Sequence, residues 1–234
     1  MVTDTAPGHS AWLPALLQTA DALFPTGAYA HSFGLEEMAT LGVVHNEHTL
    51  CEFLTGHVLP ILETQELPYL RFAFACATDL SALCLIDREL NALKLARETR
   101  EASVQIGLRR LKALRTISES SLLADFEAAI TRGEAFGHHV CACALQGKSN
   151  AAPLEAVLVA YAYGALSGAV TAALKLIRIG QEGCQRALSQ AVALLPKCME
   201  ASLRVARPEA GTFSPLLEIA SMRHAFARER LFIS

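Results

Sequence analysis

Residues 69–106, YLRFAFACATDLSALCLIDRELNALKLARETREASVQI, run for 38 residues without a glycine or a proline. A strand-rich chain reverses direction every few residues and uses those two residue types to do it. This stretch has nowhere to turn, and its apolar residues recur at helical spacing. It predicts helices over 70–77, 80–95 and 98–117, with Asp79 capping the second. Working outward, the same periodicity predicts helices over 12–24, 32–41, 47–62, 122–130, 138–145, 154–179, 184–199 and 216–231. Pro25 stops the first, Ser32 is the expected N-cap of the second, and Pro60 should distort the end of the third. Composition agrees: Ala (40) and Leu (36) far outnumber Val plus Ile (20) and the aromatics (15). Ala and Leu head the helix scale, whereas sheets favour β-branched and aromatic side chains. An all-α fold of about ten helices follows. No repeat and no long linker divides the chain, so 1–234 is expected to be one domain, with residues 1–10 disordered.

The other global properties exclude several classes. A hydrophobic content of 52% with 18% charged residues is incompatible with a disordered chain. A net charge of −3 gives no footprint for nucleic acid. The first residues lack a basic start and an apolar stretch, so no secretory signal is expected. Seven cysteines, an odd number scattered through apolar segments, fit reduced thiols in a cytoplasmic protein. Residues 156–174, AVLVAYAYGALSGAVTAAL, carry no charge and are long enough to span a bilayer. The run is rich in Ala and Gly rather than Leu, and small residues recur at Ala160, Gly164, Gly168 and Ala172. That predicts a central helix buried all round inside a bundle, and no membrane.

Motifs of catalysis are scarce. His138, His139, Cys141 and Cys143 form the cluster most suggestive of metal, since His139 and Cys143 share a helix face. A closed site needs about four ligands and no second pair stands at the usual spacing, so core thiols and a helix start are the competing account. A helical metal-binding protein or enzyme built on this cluster is the alternative function. Gly147-Lys148-Ser149 resembles the end of a phosphate loop, but Ala142 stands where the pattern requires glycine, and no strand precedes it. The basic bias of 94–115 is diluted by Asp87, Glu89, Glu98 and Glu101, which suits a solvated helix face.

Two segments carry more information. Residues 16–36 read LLQTADALFPTGAYAHSFGLE, and near the other end stand EIASMRH (218–224) and RLFIS (230–234). Both resemble the signature ends of the urease accessory protein F (UreF) family. The resemblance implies an all-α, homodimeric, non-enzymatic chaperone in the cytoplasm. Its partners would be the accessory protein UreD (also called UreH), the GTPase UreG and apo-urease. Its implied task is to scaffold these proteins and couple GTP hydrolysis to nickel insertion. Nickel would be handled by the complex, with no cofactor bound tightly by this chain. Tyr29 and Arg230 are expected to meet, so that loop and tail form a partner-binding surface with His31, Ser32, Arg223, His224, Arg228, Leu231 and Phe232. The tail, 228–234, is expected to become ordered on partner binding.

Overall fold

Pro60 and Pro68 lack the N–H of a helical hydrogen bond, and their rings clash with the carbonyl four residues back. The chain nevertheless runs helically from Glu47 to Ala75. The structure, a computed structural model, describes residues 11–21, 23–28, 31–224, 226 and 231–233. In it α3 (Glu47–Phe53), α4 (Leu59–Ile61) and α5 (Leu67–Ala75) are joined by π turns at Leu54–Val58 and Leu62–Glu66. Each proline sits just beyond one of these wide turns, which relieve its clash without ending the helix. The expected distortion at Pro60 is therefore a change of helical register rather than a stop.

Before this run lie α1 (Trp12–Ala20) and α2 (Leu35–Thr40). After it come α6 (Leu80–Leu93), α7 (Arg97–Arg115), α8 (Ser121–Thr131), α9 (His139–Ser149) and α10 (Leu154–Leu176). The series closes with α11 (Gln181–Ala193), α12 (Leu195–Arg204) and α13 (Pro215–His224). No strand occurs among the described residues. Asp79 caps α6 as expected, its carboxylate accepting from the Ala82 amide at 3.0 Å. The helix expected over 184–199 is two helices, because Pro196 begins a new one after Leu194. Of the helix expected over 216–231, the structure describes Pro215–His224 as helical, and residues 226 and 231–233 are not helical.

The centre of the molecule belongs to α9, not to α10. Val140, Cys141, Ala142, Ala144 and Leu145 are fully buried, with α5, α7, α8 and α10 around them. Small residues make this possible. A Cβ on Gly107 of α7 would lie 2.1 Å from the Gly137 carbonyl oxygen, so only glycine lets the two segments touch. The expectation of a central, wholly buried α10 is corrected accordingly. By length and composition α10 could cross a membrane. It instead packs one face against α1, α2, α5, α9, α11 and α12 and leaves the other open. Val159, Tyr163 and Leu174 are exposed there, and nothing lies within 4 Å of where side chains on Gly164 or Gly168 would begin.

Candidate functional site

The two ends of the sequence meet at α2. Phe33 and Gly34 both have positive φ (51° and 88°), a kink that starts α2 at Leu35. Glycine suits position 34 doubly: it adopts φ 88° without strain, and Leu217, Ala220 and Ser221 of α13 crowd against it. Gly34, not Ser32, thus holds the N-cap position. Ser32 still serves the helix start, its carbonyl accepting from the Leu35 amide at 3.1 Å and its hydroxyl from that of Glu36 at 3.4 Å.

Glu36 then gathers the C-terminal segment. One of its oxygens accepts from the Leu231 amide at 2.7 Å. The other accepts from the Phe232 amide at 3.1 Å and faces His224 Nε2 at 2.8 Å. His224 Nδ1 faces Glu98 of α7 at 3.0 Å. The imidazole is 1% exposed and both carboxyl side chains 10%, so these contacts are shielded from solvent. Around them, Glu218 accepts from the Ala96 amide at the start of α7 (2.8 Å), and Arg223 pairs with Glu37 at 2.7 Å. Arg223 is largely exposed, so that pair adds little stability. Phe232 is buried, with the Lys175 ammonium 5.6 Å from its ring centroid. Leu231, Ile233, Phe226, Leu216, Ile219 and Met222 remain exposed, an apolar display around a polar fastening.

Of the residues expected at a partner surface, the structure thus joins Ser32, Arg223, His224, Leu231 and Phe232 through α2. His31 is buried beside Phe33, 5.9 Å between ring centroids. Burial and then the Arg109 guanidinium lower its pKa to about 4, so it is neutral at pH 7. Tyr29, Arg228 and Arg230 lie outside the described residues, as do 1–10. Sequence reasoning missed Glu36 as the hub, and Glu98 and Glu218 as its neighbours in the junction. The one signal that could have pointed to the contact is charge complementarity between the acidic Glu36-Glu37 of α2 and the basic Arg223-His224 of α13.

The His/Cys cluster occupies the core around α9. The Asp87 carboxylate accepts from the Phe136, Gly137 and His138 amides at 2.5, 3.1 and 2.8 Å and so organises the entry to this helix. His138 contacts Ser103 at 3.1 Å and Asn91 at 3.3 Å; burial, then Lys94 and Arg100, push its pKa down to about 3. His139 accepts from Arg110 Nε at 3.2 Å and lies tilted against the Tyr161 ring, 5.2 Å between centroids, and burial holds it neutral. Burial also raises both Cys141 and Cys143, which keeps them as thiols rather than metal-binding thiolates. Among the described residues no three His, Cys, Asp or Glu side chains are placed to hold one ion. Gly147-Lys148-Ser149 lies within α9, so its amides are engaged in the helix and form no phosphate loop.

Fold and junction together define an all-helical protein that uses buried polar groups to fasten its own elements and offers apolar ones at the junction of its ends. The chain belongs to the UreF family, whose model matches residues 44–192. That match covers the helical middle, between the two segments that carry the resemblance. Relatives extend it over both ends. The chain is 34% identical over 220 residues to the urease accessory protein UreF of Paenarthrobacter aurescens strain TC1, covering 94% of this chain and 97% of the relative. Against the UreF of Haemophilus influenzae strain KW20 it is 30% identical, with 95% of each chain covered. Against that of Lachnoclostridium phytofermentans the identity is 29%, over 94% of this chain and 97% of the relative.

Proposed function

We propose that this chain is a non-enzymatic scaffold of urease maturation, acting in the cytoplasm. It holds UreD/UreH and the GTPase UreG on apo-urease and couples GTP hydrolysis to nickel delivery, nickel being cargo of the complex. The observation that carries this reading is the Glu36 junction, which fixes the tail while its exposed apolar residues stay available to another protein. Membership of the UreF family supplies the context. The GTPase step belongs to a partner on this reading, since the one phosphate-loop-like sequence here is helical. Seven free cysteines agree with a reducing compartment.

The alternative, a metal-binding protein or enzyme using His138, His139, Cys141 and Cys143, is disfavoured by neutral imidazoles and protonated thiols committed to the core.

Leu231→Asp tests the scaffold directly. Leu231 is 70% exposed, so the substitution leaves the fold intact. Co-purification with UreD/UreH and UreG should fall at least about tenfold, as expected for a charge placed in an apolar contact. Urease activation in the reconstituted mixture should fall with it. Undiminished co-purification and activation would remove the tail from the docking surface.

A further inference from the structure

Thr19 is the one residue of α1 that is buried, while Leu13, Leu17 and, in the turn that follows, Leu23 are exposed. A helix that turns a threonine inward and leucines outward buries little apolar area, so polar contacts have to hold it in place. They converge on Arg110 of α7. Its Nη2 donates to the Thr19 carbonyl at 3.1 Å, its Nη1 to the Gln146 side-chain oxygen, and its Nε to His139 at 3.2 Å. The Gln146 amide donates in turn to the Thr19 hydroxyl, and both of these side chains are buried. The same guanidinium lies 5.4 Å from the ring centroid of Phe24 in the turn. All three hydrogen-bond acceptors are neutral, so a bare positive charge gains little here. What the site selects is the planar fork of arginine, which meets fixed acceptors on α1 and α9 at once.

α1 and the turn are stitched into one unit. The Asp21 amide donates to the Leu17 carbonyl at 3.1 Å, the Phe24 amide to the Asp21 carbonyl at 3.0 Å, and the Thr26 amide to the Phe24 carbonyl at 2.7 Å. Arg109, next to Arg110 on α7, lies against Gly27 of the same turn, its Nη1 2.1 Å from where a side chain would begin. Two consecutive arginines thus seat this unit on α7. Further along, the chain reaches Ser32 and the kink into α2, whose Glu36 is held by α13 and the tail. The elbow between α1 and α2 is therefore fixed from both of its ends.

We propose that Arg110 is a positioning residue for partner capture: it pins α1 and the turn to α9 and so holds the elbow that leads into the Glu36 junction. It acts through the elbow and touches no partner itself. With Arg110 at one end and Glu36 at the other, the elbow keeps one shape for a partner to meet, without a further ordering cost on binding. The proposal rests on the reading of this chain as a scaffold, and its test separates the two.

The chain contains one tryptophan, Trp12 at the start of α1, half-buried against the core, and its fluorescence reports this contact directly. Arg110→Met keeps the stem of the side chain and removes the fork. In the full chain, Trp12 emission should move to longer wavelength, and hydrogen exchange in the last turn of α1 should quicken about tenfold relative to α9. Arg110→Lys, which returns the charge without the fork, should restore neither. If Arg110→Met fails to fold, Thr19→Val makes the same test from α1 itself. It removes the hydroxyl that Gln146 meets, leaves α7 and α9 unaltered, and should quicken α1 exchange about threefold. Capture of UreD/UreH and UreG by the Arg110→Met chain should fall about tenfold. Unchanged Trp12 emission and α1 exchange would overturn the proposal. Loss of capture in Leu231→Asp but not in Arg110→Met would overturn it too and leave the scaffold reading standing; loss in neither, with α1 loosened, would overturn both.

Discussion

Gly107 and Glu36 show what single residues decide here. At Gly107 the limit is steric: the missing Cβ would sit 2.1 Å from a backbone oxygen and 2.7 Å from the His138 carbonyl carbon. Backbone cannot swing aside as a long side chain can, so Gly107→Ala must push α7 away from α9. It should destabilise the protein by about 3 kcal/mol, the range for overpacking a core, read from the urea midpoint at unchanged slope. Neither residue's role was legible beforehand. Gly107 lies in a long helical pattern, where a glycine reads only as a weak spot. Glu36 reads as a favourable charge in a first helical turn, and its contacts with residues 224, 231 and 232 cannot be inferred from local spacing. His138 and Cys141 suggested metal because ligand types recur at helical spacing, and core residues of an Ala-rich helix recur at the same spacing.

At the scale of elements, the sequence specified helix content well and helix fate poorly. The glycine-free stretch, the Asp79 cap and the apolar periodicity are local properties, and they placed most helices within a few residues of their observed bounds. Whether a helix lies inside or at the surface depends on what packs around it. The run 156–174 has no charge, which suggested burial on all sides, yet its exposed face is simply apolar. Pro60 could not reveal a π turn, because that response depends on neighbouring helices holding the run together. For the homodimer that the family resemblance implies, the open apolar face of α10, with Val159, Tyr163 and Leu174 exposed, is the surface to test. Gly168→Glu meets nothing within the chain itself, so the monomer should keep its helical circular dichroism. Light scattering should show the assembly weakened at least about tenfold, as a buried unpaired charge demands. A dimer of unchanged stability would move the contact elsewhere.

For the whole molecule, the buried neutral histidines couple folding to acidity. His138 and His31 have native pKa values of about 3 and about 4, below the ordinary value of 6.5. Between those limits the unfolded chain binds more protons than the native one, so stability rises with pH across that window and falls as pH drops through it. The urea midpoint should therefore decline steadily below about pH 6.5, by an amount on the order of a few kcal/mol for His138. His138→Gln should lower stability at pH 7 and flatten that decline; an unaltered slope would show that other groups govern acid unfolding.

Glu36 and Leu231, joined by one hydrogen bond, stand 195 positions apart along the chain. Closing so wide a loop is an entropically demanding step, and it requires nearly everything between them to be in place first. A copy cut short before Leu231 can pack α9 among its neighbours and set His224 against Glu36, but it has no tail amides for that carboxylate to accept. The junction thus acts as a clasp between distant stretches of sequence, and the surface it builds exists only where both stretches and the helices between them are folded together.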